Sequence, residues 1–512
     1  MSRPPNYLAT RLPFFSTQIK TYNQFLGAFV FGVLLPLSFA PFHLPMMAII
    51  SVAFFYSNIF SNQKQSFLTG FFYGLGFFGI GISWIFVSVH DYGHQNNLAS
   101  LLITLALLTY LSLFIALQSW LFNKIIIKHA LLYNCFIFSA LWTLSEYLRS
   151  HLFTGLPWLL LGFGQFDTIS KYLLPVIGTY GVSFCTCLIS TILATSIHLL
   201  GKKRYYFLSL AFILLLCPIA LQHKDWSTKG SKPLTVSIIQ ANLSMRDKWD
   251  ESLFWQLLQR YSAAITKVLG TDLIVLPESA IPLPSNYQEV ADFLQLKHRQ
   301  AKQAGSAVLF GILETKDNYY FNSIKGIGSM QGSYLKQHLV PFGEYIPKPL
   351  KFINNLLDVP NARLQPGPSK QKLLEIQKHP IATLICYELA YGGLLRKQLP
   401  NAEWIVAVSE NGWFGHSLAM YQQQQMAQVR SMETGRYQVL ANNDGLSSII
   451  NNKGEIISSL PAFSTGIINN KIFPATGHTP WIFAGDWPVL LFCCLVIIFR
   501  LILIILLKYK FL

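Results

Sequence analysis

Long apolar runs constrain this chain more than any other feature of its sequence. Several of them reach the roughly 20 residues needed to cross a bilayer core of about 30 Å. Of the 512 residues, 52% are hydrophobic and 12% are charged, whereas ordinary soluble domains are about 25% charged. We therefore predict a membrane protein with about eight helical spans. They lie near residues 23 to 40, 44 to 60, 66 to 89, 97 to 122, 131 to 149, 171 to 200, 204 to 222 and 486 to 508.

The first apolar run is predicted to stay in the chain as an anchor. A cleavable signal peptide has a short apolar core followed by a small-residue cleavage site. Here polar residues continue to about residue 22, and a full-length apolar run follows them. This pattern favours a retained membrane span.

Lysines and arginines mark one side of the predicted membrane region, because cytoplasmic loops retain positive charge. They fall in the N-terminal arm, in alternate connections and in the tail: Arg3, Arg11, Lys20, Lys64, Lys124, Lys128, Lys202, Lys203, Arg204, Lys508 and Lys510. Both termini are therefore predicted to be cytoplasmic, with the block between the last two runs outside. The net charge of +16 also favours attraction to anionic lipid headgroups. The sequence contains no recognisable nucleic-acid-binding module, so nucleic acid is not expected as a partner.

The predicted external block, residues 223–482, has an α/β pattern. Short β-branched runs predict strands at 234–242, 272–279, 306–314, 380–388, 404–412 and 437–444. Helical stretches such as WDESLFWQLLQRYSAAITKVLG and YQQQQMAQVRSMETGR lie between several of them. Such alternation favours one layered α/β domain with covered sheets. The predicted regions are thus 1–222, with seven spans, 223–482, and 483–512, with the eighth span and the tail.

Cys386 is the only cysteine in the predicted external block. The other six lie in predicted spans: Cys135, Cys185, Cys187, Cys217, Cys493 and Cys494. This count excludes a disulfide within the block. Cys386 ends the run PIATLIC, at the carboxyl end of a predicted strand, where ligands usually meet α/β sheets. It is therefore either a small buried hydrophobe or a nucleophile that needs a base and an oxyanion donor nearby.

Three charged residues at other strand or turn edges are candidates for those roles. Glu278 ends the run LIVLPE, while Lys336 and Glu344 lie in SYLKQHLVPFGEYIP. Each alone is typical of a solvated surface position, but a glutamate, a lysine and a cysteine in this order favour a joint site. The histidines lack paired ligand spacing and no Gly-rich phosphate loop occurs. We therefore predict neither a metal nor a cofactor.

At these residues the chain resembles the glutamate, lysine, cysteine triad of the nitrilase superfamily. The matching phrases are LPESAIP with Glu278, LKQHLVPFGEYIP with Lys336 and Glu344, and LICYELAY with Cys386 and Glu388. The phrase IIQANLSMRDKWDE, the WFG after Gly412 and the flanking apolar runs are similar to its membrane-bound branch, the apolipoprotein N-acyltransferases. The resemblance covers essentially the whole chain.

The resemblance implies an αββα catalytic domain at the outer face of the bacterial inner membrane and a two-stage acyl transfer. Cys386 would take an acyl chain from a phospholipid, typically phosphatidylethanolamine, as a thioester. The acceptor would be the α-amino group of the diacylglyceryl-cysteine that begins an apolipoprotein. Glu278 would be the general base, and Lys336 would stabilise the oxyanion.

The resemblance also implies supporting roles. The backbone N–H of Tyr387 would help Lys336 with the oxyanion, and Glu344 would orient Lys336 or share protons with Glu278. Glu388 has either a structural hydrogen-bonding role or a role in the site. Two features depart from the family pattern, namely Glu410 and Asn411 in place of AsnAsp, and Asp444 in place of the second Asn of AsnAsnGly. They bear on local hydrogen bonding and substrate preference, and leave the triad intact.

Two features suit a lipid substrate. The segment KPLKFINNLLDVPNARLQPG has an apolar face with lysines beside it. It is predicted as an interfacial arm that gates lipid access, with a helix packed on the domain as the alternative. The aromatic residues Trp249, Tyr387, Trp413 and Phe414 are candidates for an acyl-chain path or for plain core.

Two other functions remain open from the sequence. One is a membrane-tethered amidase of the nitrilase type, which would send the thioester to water. The other is a transporter or receptor whose external domain only binds a ligand. A transporter needs paired polar groups buried in its spans, and the candidates here are few, chiefly Glu146, Arg149 and Arg500.

Overall fold

A computed structural model describes residues 12–61, 63–127, 129–248, 250–347, 364–399 and 401–509. The N-terminal part of the described chain is helical. Its helices are α1 Leu12–Leu34, α2 Met46–Ser61, α3 Ser66–Gly81, α4 Trp84–Val87, α5 Asn97–Ile125, α6 Leu131–Arg149, α7 Leu174–Ile197 and α8 Gly201–Leu216.

The predicted spans all fall on helices, but fewer than eight are long and apolar enough to cross a membrane. Four described stretches qualify: Asn97–Ile125, Ile169–Ile197, Gly201–Leu221 and Trp487–Leu506. The bent pair formed by Gln63–Gly81 and Trp84–Tyr92 makes a fifth if it is one span. The expected count is thus supported only in part, because α2 is short, α3 breaks after Gly81 and α6 contains Glu146 and Arg149.

The strands follow this helical region and form a compact α/β unit. They are β1 Thr228–Lys229, β2 Leu234–Gln240, β3 Leu273–Val275, β4 Ala307–Lys316, β5 Tyr319–Gly328, β6 Gly332–Leu335, β7 Leu374–Ile376, β8 His379–Ile385, β9 Trp404–Ser409, β10 Gln438–Asn442, β11 Ser448–Ile450, β12 Ile456–Ser459, β13 Gly466–Ile472 and β14 Ala475–Thr476. The remaining helices are α9 Met245–Lys248, α10 Phe254–Lys267, α11 Gln288–Gln303, α12 Gly392–Arg396, α13 Ala419–Thr434, α14 Pro480–Ala484 and α15 Trp487–Tyr509.

Twelve of these strands form two six-stranded sheets, in the orders β13-β2-β3-β4-β5-β6 and β12-β11-β10-β9-β8-β7. In each sheet three central strands are parallel, β2, β3 and β4 in one and β8, β9 and β10 in the other. The carboxyl ends of parallel strands lie at one edge of a sheet, and ligands bind at that edge in open α/β sheets. The two edges carry Glu278, after β3, and Cys386, after β8.

The two sheets pack face to face around an apolar core. Val236, Val275 and Leu309 project into it from one sheet and Ile385 and Val406 from the other. Helices α10 and α11 cover the outer face of the first sheet, and α13 covers the outer face of the second. This layering confirms the predicted α/β domain.

Helix α13 lies between the second sheet and the helical region and is buried on nearly all sides. Its polar side chains bond to the helical region on one side and, on the other, to the α/β unit formed by β1 to β14, here called the sheet domain. Gln422 accepts a hydrogen bond from Trp158 Nε1 at 2.6 Å and donates one to the Gly81 carbonyl at 3.0 Å. Glu433 accepts from the backbone N–H of Thr179 at 2.8 Å. Because buried polar groups are costly unless paired, these contacts fix one orientation of the two parts.

The buried charges of α6 hold the connection that follows this helix. Glu146 accepts hydrogen bonds from the backbone N–H of Leu161 at 2.8 Å and from Trp142 Nε1 at 3.0 Å. Arg149 donates to the carbonyl oxygens of Leu156 and Trp158 at 2.8 and 2.7 Å. Both side chains are therefore used to shape residues 150–162, which approach the sheet domain.

Candidate active site

Cys386 begins a tight turn directly after β8. The turn, Cys386–Ala390, is a short 3₁₀ helix, and the backbone of Cys386 has φ +51°, in the left-handed region. A residue with a side chain adopts this conformation at a cost, and such strain is concentrated at functional sites. The side chain is only 8% exposed. The thiol is thus held at the strand end in a fixed and largely dry setting.

Glu278 follows β3 on the facing sheet and is 6% exposed. It approaches β4 closely at Gly311, where an added Cβ atom would lie 2.6 Å from the Glu278 Cα and 2.4 Å from the Ser279 nitrogen. The N–H of Gly311 donates to the Pro277 carbonyl at 3.1 Å. The absence of a side chain at Gly311 therefore allows the chain to turn Glu278 into the site.

Lys336 joins two carboxylates in this site. Its Nζ lies 3.3 Å from Glu278 Oε1 and 3.0 Å from Glu344 Oε1, and its side chain is buried. Asn322 Nδ2 donates to the same two oxygens, at 2.8 Å each. The second oxygen of Glu344 accepts from the N–H of Val340 at 2.7 Å. The structure therefore brings Glu278, Lys336 and Glu344 together as the sequence predicted, and adds Asn322.

Burial and the charges of the cluster together set the protonation of the thiol. Burial raises the pKa of Cys386 well above its ordinary value, and the charges of Glu278 and Glu344 act in the same direction while Lys336 opposes them. Burial alone would lower the pKa of Lys336, but the two carboxylates outweigh it and the net pKa is raised. At neutral pH the lysine is therefore a cation, and the thiol is neutral and needs a base before it can attack.

Glu388 has no free side-chain oxygen to offer a substrate. Its carboxylate accepts from the N–H groups of Gln337, His338 and Ile385 at 2.7, 3.1 and 2.8 Å and from the Tyr334 hydroxyl at 3.1 Å. Burial raises its pKa to about 7, and the backbone donors oppose that shift. Of the two roles predicted for it, the geometry favours the structural one, in which Glu388 ties the Cys386 turn to the segment after Lys336.

The aromatic candidates lie where the sheet domain meets the helical region. The hydroxyl of Tyr387 donates to the Gly155 carbonyl at 2.7 Å, so its side chain contacts the connection after α6. The Trp413 carbonyl accepts from Ser88 Oγ at 2.7 Å, and the rings of Phe414 and Trp84 lie 4.9 Å apart. These contacts indicate interface packing. Trp249 lies outside the described residues, as does most of the predicted lipid arm, residues 348–363.

Two further residues contact Glu278. The sequence predicted no role for Lys248, and Glu410 was noted only as a departure from the family pattern. Lys248 Nζ donates to the Glu278 carbonyl at 3.1 Å and forms a buried ion pair with Glu410. The backbone N–H of Glu410 donates to Glu278 Oε2 at 3.0 Å. The sequence signal was weak, because a lysine beside WDE is typical of a solvated helix start.

Comparisons with known proteins agree with this geometry. The carbon–nitrogen hydrolase model matches residues 235–477, so the sheet domain is of the carbon–nitrogen hydrolase class. A second model, the apolipoprotein N-acyltransferase N-terminal domain, matches residues 31–192. Apolipoprotein N-acyltransferases of Coxiella burnetii and Methylococcus capsulatus are 36% and 34% identical to this chain, each over 90% of it and over 96% and 92% of their own lengths. The chain belongs to the apolipoprotein N-acyltransferase family and is an acyltransferase.

Replacement of Gly311 by alanine is expected to lower the rate of acyl transfer by on the order of 10²-fold, because the new Cβ would displace Glu278 from Lys336. The measurement is the initial rate with labelled phospholipid. Gly393→Ala is the matched control, since a Cβ there meets nothing within 4 Å. Equal rates for the two variants would contradict the proposed importance of this close approach.

The stability of the protein should depend on pH through Asp444. Burial, with the nearby charge of Glu410, raises the pKa of Asp444 to about 7. The folded protein thus keeps a proton that the unfolded chain loses near pH ~4, so this residue lowers the free energy of unfolding as pH rises between these values. Asp444→Asn should therefore melt at a higher temperature than the wild type at pH ~8. The difference between the two melting temperatures should disappear near pH ~4.

Thermal melts of the whole protein at both pH values test this expectation. Asp225→Asn is the control, because Asp225 is largely exposed and 3.7 Å from its partner Lys453. If the melting temperatures of Asp444→Asn and the wild type differ by the same amount at both pH values, Asp444 does not titrate as described.

Proposed function

We propose that this protein transfers an acyl chain from a phospholipid, through a thioester on Cys386, to the α-amino group of the N-terminal diacylglyceryl-cysteine of apolipoproteins. The observation that carries the proposal is the buried thiol at a strained strand end, under the charges of Glu278, Lys336 and Glu344. The same chain has apolar helices long enough to cross a bilayer. Relatives named apolipoprotein N-acyltransferase match this chain over 92% and 96% of their own lengths.

In the first stage, Glu278 takes the proton of Cys386 and the thiolate attacks the ester carbonyl of the phospholipid. The tetrahedral oxyanion is stabilised by the charge of Lys336 and by the backbone N–H of Tyr387. The intermediate collapses with cleavage of the bond to the glyceryl oxygen, and Glu278 returns the proton to that oxygen. Lysophospholipid leaves, and the acyl group remains on sulfur.

In the second stage, the α-ammonium group of the apolipoprotein first loses one proton to water. The free amine attacks the thioester carbonyl, and Lys336 again stabilises the oxyanion. As the C–S bond breaks, a second proton passes from nitrogen through Glu278 to the sulfur of Cys386. The products are an amide and the original thiol. Glu344 and Asn322 keep Lys336 and Glu278 together during both stages.

The proposal also covers the setting of the protein. We place the spans within residues 1–222 and 483–512 in the bacterial inner membrane, residues 223–482 in the periplasm, and both termini in the cytoplasm. The distribution of lysine and arginine supports this orientation. We take phosphatidylethanolamine as the acyl donor. Against a transporter, the buried Glu146 and Arg149 are both bonded to backbone groups of the connection after α6.

A labelled-lipid assay that reports the covalent adduct and the N-acylated product separately tests the mechanism. Cys386→Ala should abolish both, and Cys386→Ser should be nearly as inactive, because a carboxylate deprotonates a hydroxyl far less readily than a thiol. Lys336→Ala should lower the rate by on the order of 10²-fold or more through loss of the oxyanion donor, and Lys336→Arg should not restore it.

The exposed Cys217 provides the matched control, since Cys217→Ala should leave adduct and product unchanged. Triacylated product from the Cys386→Ala protein, or an adduct mapped to another residue, would refute the thioester mechanism.

Reporter fusions test the orientation. A reporter fused after Tyr206 should behave as cytoplasmic and one fused near Lys229 as periplasmic, because the basic residues at 202–204 stay inside. The opposite pattern would refute the proposed topology.

A further inference from the structure

A buried ion pair lies directly behind the proposed general base. Lys248 is 1% exposed and Glu410 is 3% exposed, and their side chains contact each other. Glu410 directly follows β9, at the same sheet edge as Cys386. A buried ion pair is a poor source of stability, because the loss of hydration of both charges offsets their attraction. Its position therefore points to a use other than stability.

The pair holds Glu278 at two points. Lys248 Nζ donates to the main-chain carbonyl of Glu278 at 3.1 Å, and the backbone N–H of Glu410 donates to Glu278 Oε2 at 3.0 Å. The other carboxylate oxygen, Oε1, faces Lys336 Nζ at 3.3 Å. One oxygen of the base is thus fixed by Glu410, which determines where the other oxygen and its lone pairs lie.

The backbone at Glu410 is itself held by the Glu410 side chain. Its Oε2 contacts Lys248, while Oε1 accepts from Asn443 Nδ2 at 3.1 Å and from the Gly412 N–H at 3.4 Å. Burial raises the pKa of the Cys386 thiol, and the backbone of Glu410, which lies beside it because Ile385 of β8 pairs with Val408 of β9, opposes that rise. The backbone of Glu410 therefore bonds the base and lies next to the nucleophile.

We propose that Lys248 and Glu410 are positioning residues for acyl transfer. Their ion pair fixes the chain after β9, so that the Glu410 N–H keeps the Glu278 carboxylate and the Cys386 sulfur at the separation that proton transfer requires. The inference rests on the proposed function, because it takes Glu278 as the base and Cys386 as the nucleophile.

The test compares Glu410→Gln, Lys248→Met and the double variant in the full chain, reconstituted in phosphatidylethanolamine vesicles. Adduct formation on Cys386 is measured with labelled lipid over a range of lipid fractions and pH, and the melting temperature is measured on the same samples. Glu403→Gln is the matched control, since Glu403 precedes β9 and pairs with His379 at the opposite end of that strand.

Both single variants should lose about tenfold or more in the maximal rate of adduct formation, with little change in the lipid fraction that gives half the rate. Glu410→Gln should also shift the pH profile of that rate, because the donor to Glu278 is no longer fixed, and the shift should persist in an Asp444→Asn background, where the neighbouring carboxyl whose pKa Glu410 raises no longer titrates. The double variant, which leaves no lone buried charge, should regain melting temperature and stay slow. The Glu403→Gln control should keep the wild-type rate and pH profile.

A wild-type rate in Glu410→Gln would overturn this inference. So would a double variant that regains rate together with melting temperature, since the pair would then act on stability alone. If the double variant does not fold, an unchanged pH profile in Glu410→Gln overturns the inference and a shifted one supports it. A wild-type protein that forms no adduct on Cys386 would overturn the proposed function, and this inference with it.

Discussion

The attraction between Lys336 and two carboxylates is the interaction on which the site depends. Glu278 and Glu344 come from separate loops, and each would be costly to bury as an isolated charge. The lysine between them, with Asn322 bonded to both, makes their burial possible. Two negative charges and one positive charge remain beside the thiol. Burial, together with the charges of Glu278 and Glu344 and against the opposing charge of Lys336, raises the pKa of Cys386, so the thiol stays protonated until a base takes its proton.

The facing sheets explain how residues so distant in sequence meet. The parallel strands β3 and β8 belong to different sheets, and their carboxyl ends carry Glu278 and Cys386. The strand β9 ends beside them and carries Glu410. Because the sheets pack through a continuous apolar core, the loops at their edges are held by rigid elements. Catalytic geometry is thus set by the packing of strands rather than by the loops alone.

The sequence was sufficient for part of this site. The phrases around Glu278, Lys336, Glu344 and Cys386 lie at strand ends and indicated that these residues meet. Asn322 was not predictable, because β5 was not recognised as a strand and its run YYFNSIKGIG lacks regular alternation. The reach of Lys248 to Glu278 depends on a four-residue helix, which leaves no periodic signal. Apolar runs likewise predicted where helices form, but the break after Gly81 and the burial of α13 arise from tertiary packing.

The hydroxyls of Tyr387 and Tyr391 both bond to the Gly155 carbonyl, at 2.7 and 3.0 Å, in the connection that Arg149 shapes. The turn that begins with the nucleophile is therefore fastened to the helical region, as is α13 on the same side of the sheet. A movement of the sheet domain away from the helical region would break these bonds and distort the turn. The thiol is thus held at one position relative to the helical region, and under the proposed two-stage transfer donor and acceptor would meet it there in succession.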